Sequence, residues 1–308
     1  MSENIWVVAQ DAKAAGELCA GAQALGGVVH AVLLGCEEAT KAAAANGAQT
    51  VVTASTPAAN TLLEGYADAL LALFEERGAR LVMVQASTTG RLLAGKLASG
   101  LHTSALGATT LALDGEAVTV TYLVYGGTAV CTRRIISPTA VVTVGGGVFE
   151  AANAGADSAA IEQLTVTPNT PGITLKATAP KQGEQVNLSA AKRVIGVGRG
   201  FGAEGDLDLA RSLATLIGAE LACSRPITEG EDWMARERYI GVSGAVLKPD
   251  LYVAIGISGQ VQHMVGVNQA RTIVAINKDK NAPVFKQADV GIVGDLYTIL
   301  PALTAALR

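Results

Sequence analysis

The sequence predicts an α/β protein of two domains, each built on a mostly parallel β-sheet. Three observations carry that expectation. Short apolar runs rich in Val and Ile alternate with helical stretches through both halves of the chain. The connections are short and bear glycine, as they must where strands and helices alternate around one sheet. And 308 residues, half of them hydrophobic and only 4% aromatic, exceed one comfortable core while supplying the small and β-branched side chains that pack helices onto strands.

The elements follow in order. Ile5–Ala9, Val28–Leu34, Gln49–Thr53 and Leu81–Val84 read as strands, with helices over Lys13–Ala24 and Glu37–Asn46 between them. Leu62, Tyr66, Ala69, Leu70, Leu73 and Phe74 share one face of a further helix, which Gly78 closes. After Gly107 the pattern changes to a hairpin, Thr109–Leu113 and Ala117–Tyr122, turning on Asp114-Gly115. Ala129–Ile135 and Ala140–Val144 are two more strands, and the Pro- and Gly-broken stretch 150–186 reads as an extended crossing segment. The first domain is therefore expected over 1–186.

The second domain is expected over 187–308. Its strands are Arg193–Gly198, Glu220–Cys223, Leu251–Ile257, Thr272–Ile276 and Val290–Gly294. A helix carries Leu209, Leu213, Leu216 and Ile217 inward, with Asp206 as an acid in its first turn, and Leu296–Leu307 forms the last helix.

Composition excludes several classes of function. A net charge of −4 and no Lys/Arg run argue against nucleic acid, whose phosphates need a clustered cationic surface. Cys19, Cys36, Cys131 and Cys223 are scattered, without a CxxC pair or a nearby His, so no metal site and no disulfide framework is expected. The opening residues lack the pattern of a leader peptide, and no apolar run nears the ~20 residues of a membrane span. A cytoplasmic protein without membrane insertion is the expectation.

The functional signal is where polar residues fall. Arg199, Ser224, Arg225, Ser258, Asn277 and Asp295 all stand at or just past the carboxyl end of a strand, the edge at which open α/β sheets bind ligands. The glycine cluster at 196–202 misses the dinucleotide fingerprint, because its third glycine would fall on Phe201 or Ala203. Backbone amides at such a turn, beside Arg199, still suit a phosphate or an adenosine. Ser258-Gly259-Gln260-Val261-Gln262-His263 is more telling: a small Ser-Gly pair admits an anion close to the backbone, and the following turn carries Gln262 and His263 along it. Two rival readings stay open on residues alone. A nicotinamide-dependent dehydrogenase would use Glu220 on the ribose, and a non-catalytic nucleotide-binding module would fit the first half.

The segments SRP (224–226), YIGVSG (239–244), LYVAIGISGQVQH (251–263), TIVAINKDKNAPVFKQAD (272–289) and GIVGDL (291–296) closely resemble the alpha subunit of electron-transferring flavoproteins. The similarity spans 190–308 and continues more weakly to VYGGTAV (124–130). It implies a nucleotide-hydrolase-like α/β scaffold in the first domain and a Rossmann-like, FAD-binding sheet in the second. It implies a redox carrier, not an enzyme with its own substrate, paired with a beta subunit that the first domain holds. By matching positions, Arg199, Asn277, Asp295 and Leu296 would contact the ADP part, and Ser258, Gly259, Gln260, Val261, Gln262 and His263 the pyrophosphate and ribityl chain. Ser224, Arg225, Ile240, Gly241, Val242 and Ser243 would lie along the flavin ring, with Arg225, Ser243 and His263 tuning its potential, His263 as a protonated donor. Ser243 stands where the family usually has Thr, and Val242 replaces a frequent Gln. Gln260 and Trp233 are similar to the bacterial branch linked to carnitine and acyl-CoA metabolism, which implies acyl-CoA dehydrogenase-type donors or acceptors and a quinone oxidoreductase or ferredoxin.

Overall fold

A computed structural model describes residues 3–36, 39–54, 62–115, 117–151, 159–166, 168–169, 173, 175–177, 179, 186 and 188–308. The chain divides into two compact units, one of residues 1–123 with 130–180 and one of residues 124–129 with 181–308. The second unit thus takes in the loop 124–129. Asn187 and much of the crossing segment lie outside the described residues, as do Glu37 and Glu38 of the second expected helix.

In the first unit the elements run β1 (Asn4–Ala9), α1 (Ala12–Ala24), β2 (Val28–Leu34), α2 (Ala39–Ala45), β3 (Thr50–Ala54), α3 (Ala67–Glu76), β4 (Leu81–Gln85), α4 (Thr88–Gly100), β5 (Ala105–Ala108), β6 (Thr110–Asp114), β7 (Ala117–Val124), β8 (Ala129–Ile135), β9 (Ala140–Val144) and β10 (Ala160–Leu164). Seven strands form one sheet in the order β10-β3-β2-β1-β4-β9-β5, parallel throughout. Strands buried on both faces need apolar residues at every position, which is why IWVVA, VVHAVLL and LVMV read as runs rather than alternations. The hairpin β6-β7 and strand β8 form a separate small sheet whose Val118, Val120 and Ile135 pack on the core of the same unit.

Three elements of this unit depart from the sequence reading: α4, β10 and the edge strand β5, which that reading did not include. Helix α4 carries Gly90, Gly95 and Gly100, which weaken its pattern. Gly90 is there because a Cβ would strike the Gln85 carbonyl at 2.0 Å, so the helix can start tight against the end of β4, with Ser87 as its N-cap. Strand β10 lies inside the segment read as a crossing and completes one edge of the sheet beside β3.

The second unit contains β11 (Arg193–Val197), α5 (Leu207–Ile217), β12 (Glu220–Cys223), α6 (Arg225–Glu229), β13 (Leu251–Ile255), α7 (Val261–Met264), β14 (Ile273–Asn277), β15 (Val290–Val293) and α8 (Leu296–Ala306). Its sheet is parallel in the order β12-β11-β13-β14-β15, so the chain reverses direction across the sheet between β11 and β13. Helix α5 buries Leu207, Ala210, Leu213 and Ala214, and Gly218 ends it in the left-handed conformation at φ 62°. Leu216, expected inward, is instead exposed, because the buried stripe is set by Leu207 and Ala210 one step round the helix.

At the reversal the two loops touch backbone to backbone. Gly200 N–H donates to the Gly256 carbonyl over 3.0 Å, and a Cβ on Gly200 would stand 2.5 Å from the Gly256 Cα. Gly256 itself has φ 64°. Gly256→Ala should therefore lower the unfolding free energy by about 1–3 kcal/mol, read as a fall in Tm, whereas Gly205→Ala, which would meet nothing within 4 Å, should leave Tm unchanged.

Candidate cofactor cleft

The carboxyl ends of β11, β12, β13 and β14 enclose a cleft of about 610 Å³. The β11 loop gives it Arg199 and Gly200, and Ser224, Arg225 and Pro226 follow β12. Gly256, Ile257 and Ser258 follow β13, with Gln260, Gln262 and His263 beyond them, and Asn277 and Asp279 follow β14. Tyr239, Val242 and Ser243 close one side. This is the reversal point of the sheet, the edge at which open α/β sheets bind ligands. A larger hollow of about 680 Å³ opens at the amino end of β12. Its arginines are already engaged, Arg211 with Asp208 and Arg238 with Glu220, so it offers a ligand little charge.

Local bonds hold the cleft walls. Ser224 N–H donates to the Val197 carbonyl, which ties β12 to β11, and the Ser224 hydroxyl makes no capping bond to α6. Asn277 Nδ2 donates to the Ile257 carbonyl at 2.9 Å while its Oδ1 accepts from Asp279 N–H at 2.9 Å, so one side chain joins the β13 and β14 loops. Gly259, at φ 84°, lies so near the 282–284 turn that a Cβ would sit 2.3 Å from Val284 N. Val242 N–H donates to the Gln262 carbonyl, and Tyr239 Oη lies 3.2 Å from Ser243 Oγ.

The charges are arranged unevenly. Arg199 is exposed and has no ion pair among the described residues. Arg225, also exposed, pairs with Glu229, which raises the guanidinium's pKa further and takes up part of its charge. His263 is buried in the wall. Its Nε2 lies 2.7 Å from Tyr252 Oη, and burial pushes its pKa down to about 4, a shift the Ile240 carbonyl only partly opposes. The expected protonated donor is thus corrected: near neutral pH this imidazole is neutral, since a charge there would have to be desolvated.

Not every expected site residue meets the cleft. Ile240 and Gly241 are buried behind it, and Gly259 and Val261 shape the turn without lining it. Asp295 accepts from Tyr297 N–H as the N-cap of α8, and Leu296 belongs to the core under α5. Glu220, the acid the dehydrogenase reading needed, starts β12 and so stands at the opposite edge of the sheet. Tyr239, Asp279 and Pro283 line the cleft without having been singled out. Asp279 lay within reach of the strand-end rule, two residues past Asn277.

The donor set fits an anionic dinucleotide. Two guanidiniums, several hydroxyls and carboxamides, and one carboxylate able to accept from hydroxyls converge on a cleft whose lining includes Gly200 and Gly256, packed backbone to backbone. Comparison with known proteins agrees. The electron transfer flavoprotein FAD-binding domain matches residues 187–268, and the electron transfer flavoprotein domain matches residues 5–169. The chain belongs to the electron transfer flavoprotein family. It is 44% identical to protein FixB of Escherichia coli strain SMS-3-5 and of Shigella flexneri, and 43% identical to that of Shigella dysenteriae serotype 1. Each alignment covers 99% of this chain and 98% of the relative. It is an FAD-binding, alpha-type electron-transfer subunit rather than an enzyme with its own substrate, in a family that pairs alpha with beta subunits. Among the described residues no helix is long and apolar enough to cross a membrane, and none form a metal-binding cluster.

The burial of His263 has a consequence for stability. Its folded pKa of about 4 lies below the ordinary 6.5, so the unfolded chain binds the proton more readily. Stability should be complete above pH 6.5 and fall as the pH drops from there toward 4, by roughly 3 kcal/mol from this group. Denaturant unfolding across that window should show the loss, and His263→Gln should flatten it. A further pair of variants separates cleft from scaffold. Ser258→Trp should empty the cleft of FAD with secondary structure intact, whereas Asp295→Ala should retain FAD and lose about 1 kcal/mol of stability with the α8 cap.

Proposed function

We propose that this chain holds FAD in the cleft of its second unit and, bound to a beta subunit through its first domain (1–186), relays electrons in the cytoplasm. The observation that carries the reading is the convergence of Arg199, Ser224, Arg225, Ser258 and Asn277 on one cleft at the sheet's reversal point. Arg199 would take the diphosphate, with Ser258 and Gln262 beside it, while the turn amides of Gly198, Gly200, Phe201 and Gly202 are already engaged within the fold. Asn277 and Asp279 suit the adenosine end, and Ser224, Arg225, Val242 and Ser243 would face the ring. Bound FAD supplies the capacity to accept and pass on electrons one at a time. Arg225 would place a positive charge at the ring, tempered by its pairing with Glu229, and Tyr239 holds the Ser243 hydroxyl. The neutral His263 can donate a hydrogen bond without giving up a proton.

The partners we infer are acyl-CoA dehydrogenase-type donors or acceptors, of the kind used in fatty acid oxidation or carnitine metabolism, and a quinone oxidoreductase or ferredoxin. Support comes from the family resemblance and from Gln260 and Trp233. Co-expression with the beta subunit, followed by reduction with a panel of acyl-CoA dehydrogenases, tests this. Bleaching of the flavin absorbance by one of them is expected, and failure with all of them while chemical reductants succeed would remove the acyl-CoA link.

Arg225 and Glu229 should act in opposite senses. Arg225→Ala should keep FAD and lower its midpoint potential by some tens of millivolts, with Arg225→Lys intermediate because an ammonium lacks the planar multi-donor face. Glu229→Gln should raise the potential, since it unmasks the guanidinium. Spectroelectrochemical titration of the heterodimer checks both signs.

A further inference from the structure

Tyr252 lies in β13 with its ring fully buried, and its hydroxyl has one hydrogen-bond partner among the described residues, Nε2 of His263 at 2.7 Å. Space for that hydroxyl is kept by a glycine on the next strand: a Cβ on Gly196 would stand 2.1 Å from Tyr252 Oη. Nδ1 of His263 is buried and makes no hydrogen bond among the described residues. The Ile240 carbonyl stands close enough to the ring to favour a proton on it.

We propose that Tyr252 is the positioning residue for His263: its hydroxyl donates to Nε2 and locks the imidazole as the Nδ1–H tautomer. The two neutral tautomers differ in what they leave unpaired. With the proton on Nε2, the ring would donate to Tyr252 and strand the hydroxyl hydrogen without an acceptor among the described residues. With the proton on Nδ1, Tyr252 donates to Nε2 and its buried hydroxyl hydrogen is satisfied. Burial raises the pKa of the tyrosine hydroxyl well above its ordinary value, so it stays protonated and remains the donor. Between them the two residues hold two protons in a fixed order and release neither. The tautomer follows from this chain alone; its effect on the cofactor rests on the FAD reading above.

The test uses the full-length chain labelled with ¹⁵N-histidine and purified with an unlabelled beta subunit. The chain has three histidines, and His263→Gln assigns the signal. Long-range ¹H–¹⁵N correlation should show His263 protonated at Nδ1 and bare at Nε2. In Tyr252→Phe, which keeps the ring and removes the hydroxyl, the Nδ1–H preference should be lost. An Nε2–H ring in the parent protein, or an unchanged tautomer in Tyr252→Phe, overturns the proposal whether or not FAD is bound. The parent spectrum decides even if the variant does not fold. With FAD present, Tyr252→Phe should retain the cofactor and change its one-electron equilibrium at least threefold, about 28 mV. A switched tautomer with an unmoved potential would overturn the link to the cofactor and leave the FAD reading itself untouched.

Discussion

The approach of the β11 loop to the β13 loop is the constraint on which the cleft depends. Gly198 and Gly200 give up their side chains so that their amides can bond the Ile255 and Gly256 carbonyls, and Gly256 adopts a left-handed φ to meet them. Two parallel strands whose loops turn to opposite faces would otherwise part at their ends. Here the floor is closed by backbone alone, and it offers peptide groups rather than side-chain bulk to whatever lies above. A larger residue at Gly200 would push the two loops apart, because its Cβ would meet the Gly256 backbone.

Above that floor the polar groups are graded by their access to water. Arg199 and Arg225 stand in solvent, where a guanidinium keeps its charge at little cost and counterions screen it. His263 sits inside the wall, where the same positive charge would have to be desolvated, and so it is neutral. An electron carrier benefits from this division. On the proposed reading the exposed cations would tune the potential, while the buried donor would stay fixed and keep its proton.

Much of this arrangement was legible in the sequence. Strand ends followed by Arg199, Ser224, Ser258 and Asn277 sufficed to place the cleft, because in a parallel sheet every carboxyl end lies on the same edge. Pairwise features were not legible. Glu229 beneath Arg225 is four residues on, along a helix too short to show a period, and Asp295 gave no sign that its carboxylate would cap α8 rather than face the cleft. Tyr252 looked like any apolar residue of a buried strand, since nothing local announces that its hydroxyl meets a histidine eleven residues later. In the first unit, α4 was hidden by glycines needed for close packing and β10 by the irregular residues around it.

Photolabelling with 8-azido-FAD, followed by peptide mapping of the heterodimer, locates the cofactor on this chain. Label is expected within residues 224–263 of this chain, suppressed by excess FAD, if the cofactor lies in this cleft. Label confined to residues 1–180, or absent from this chain altogether, would contradict that placement.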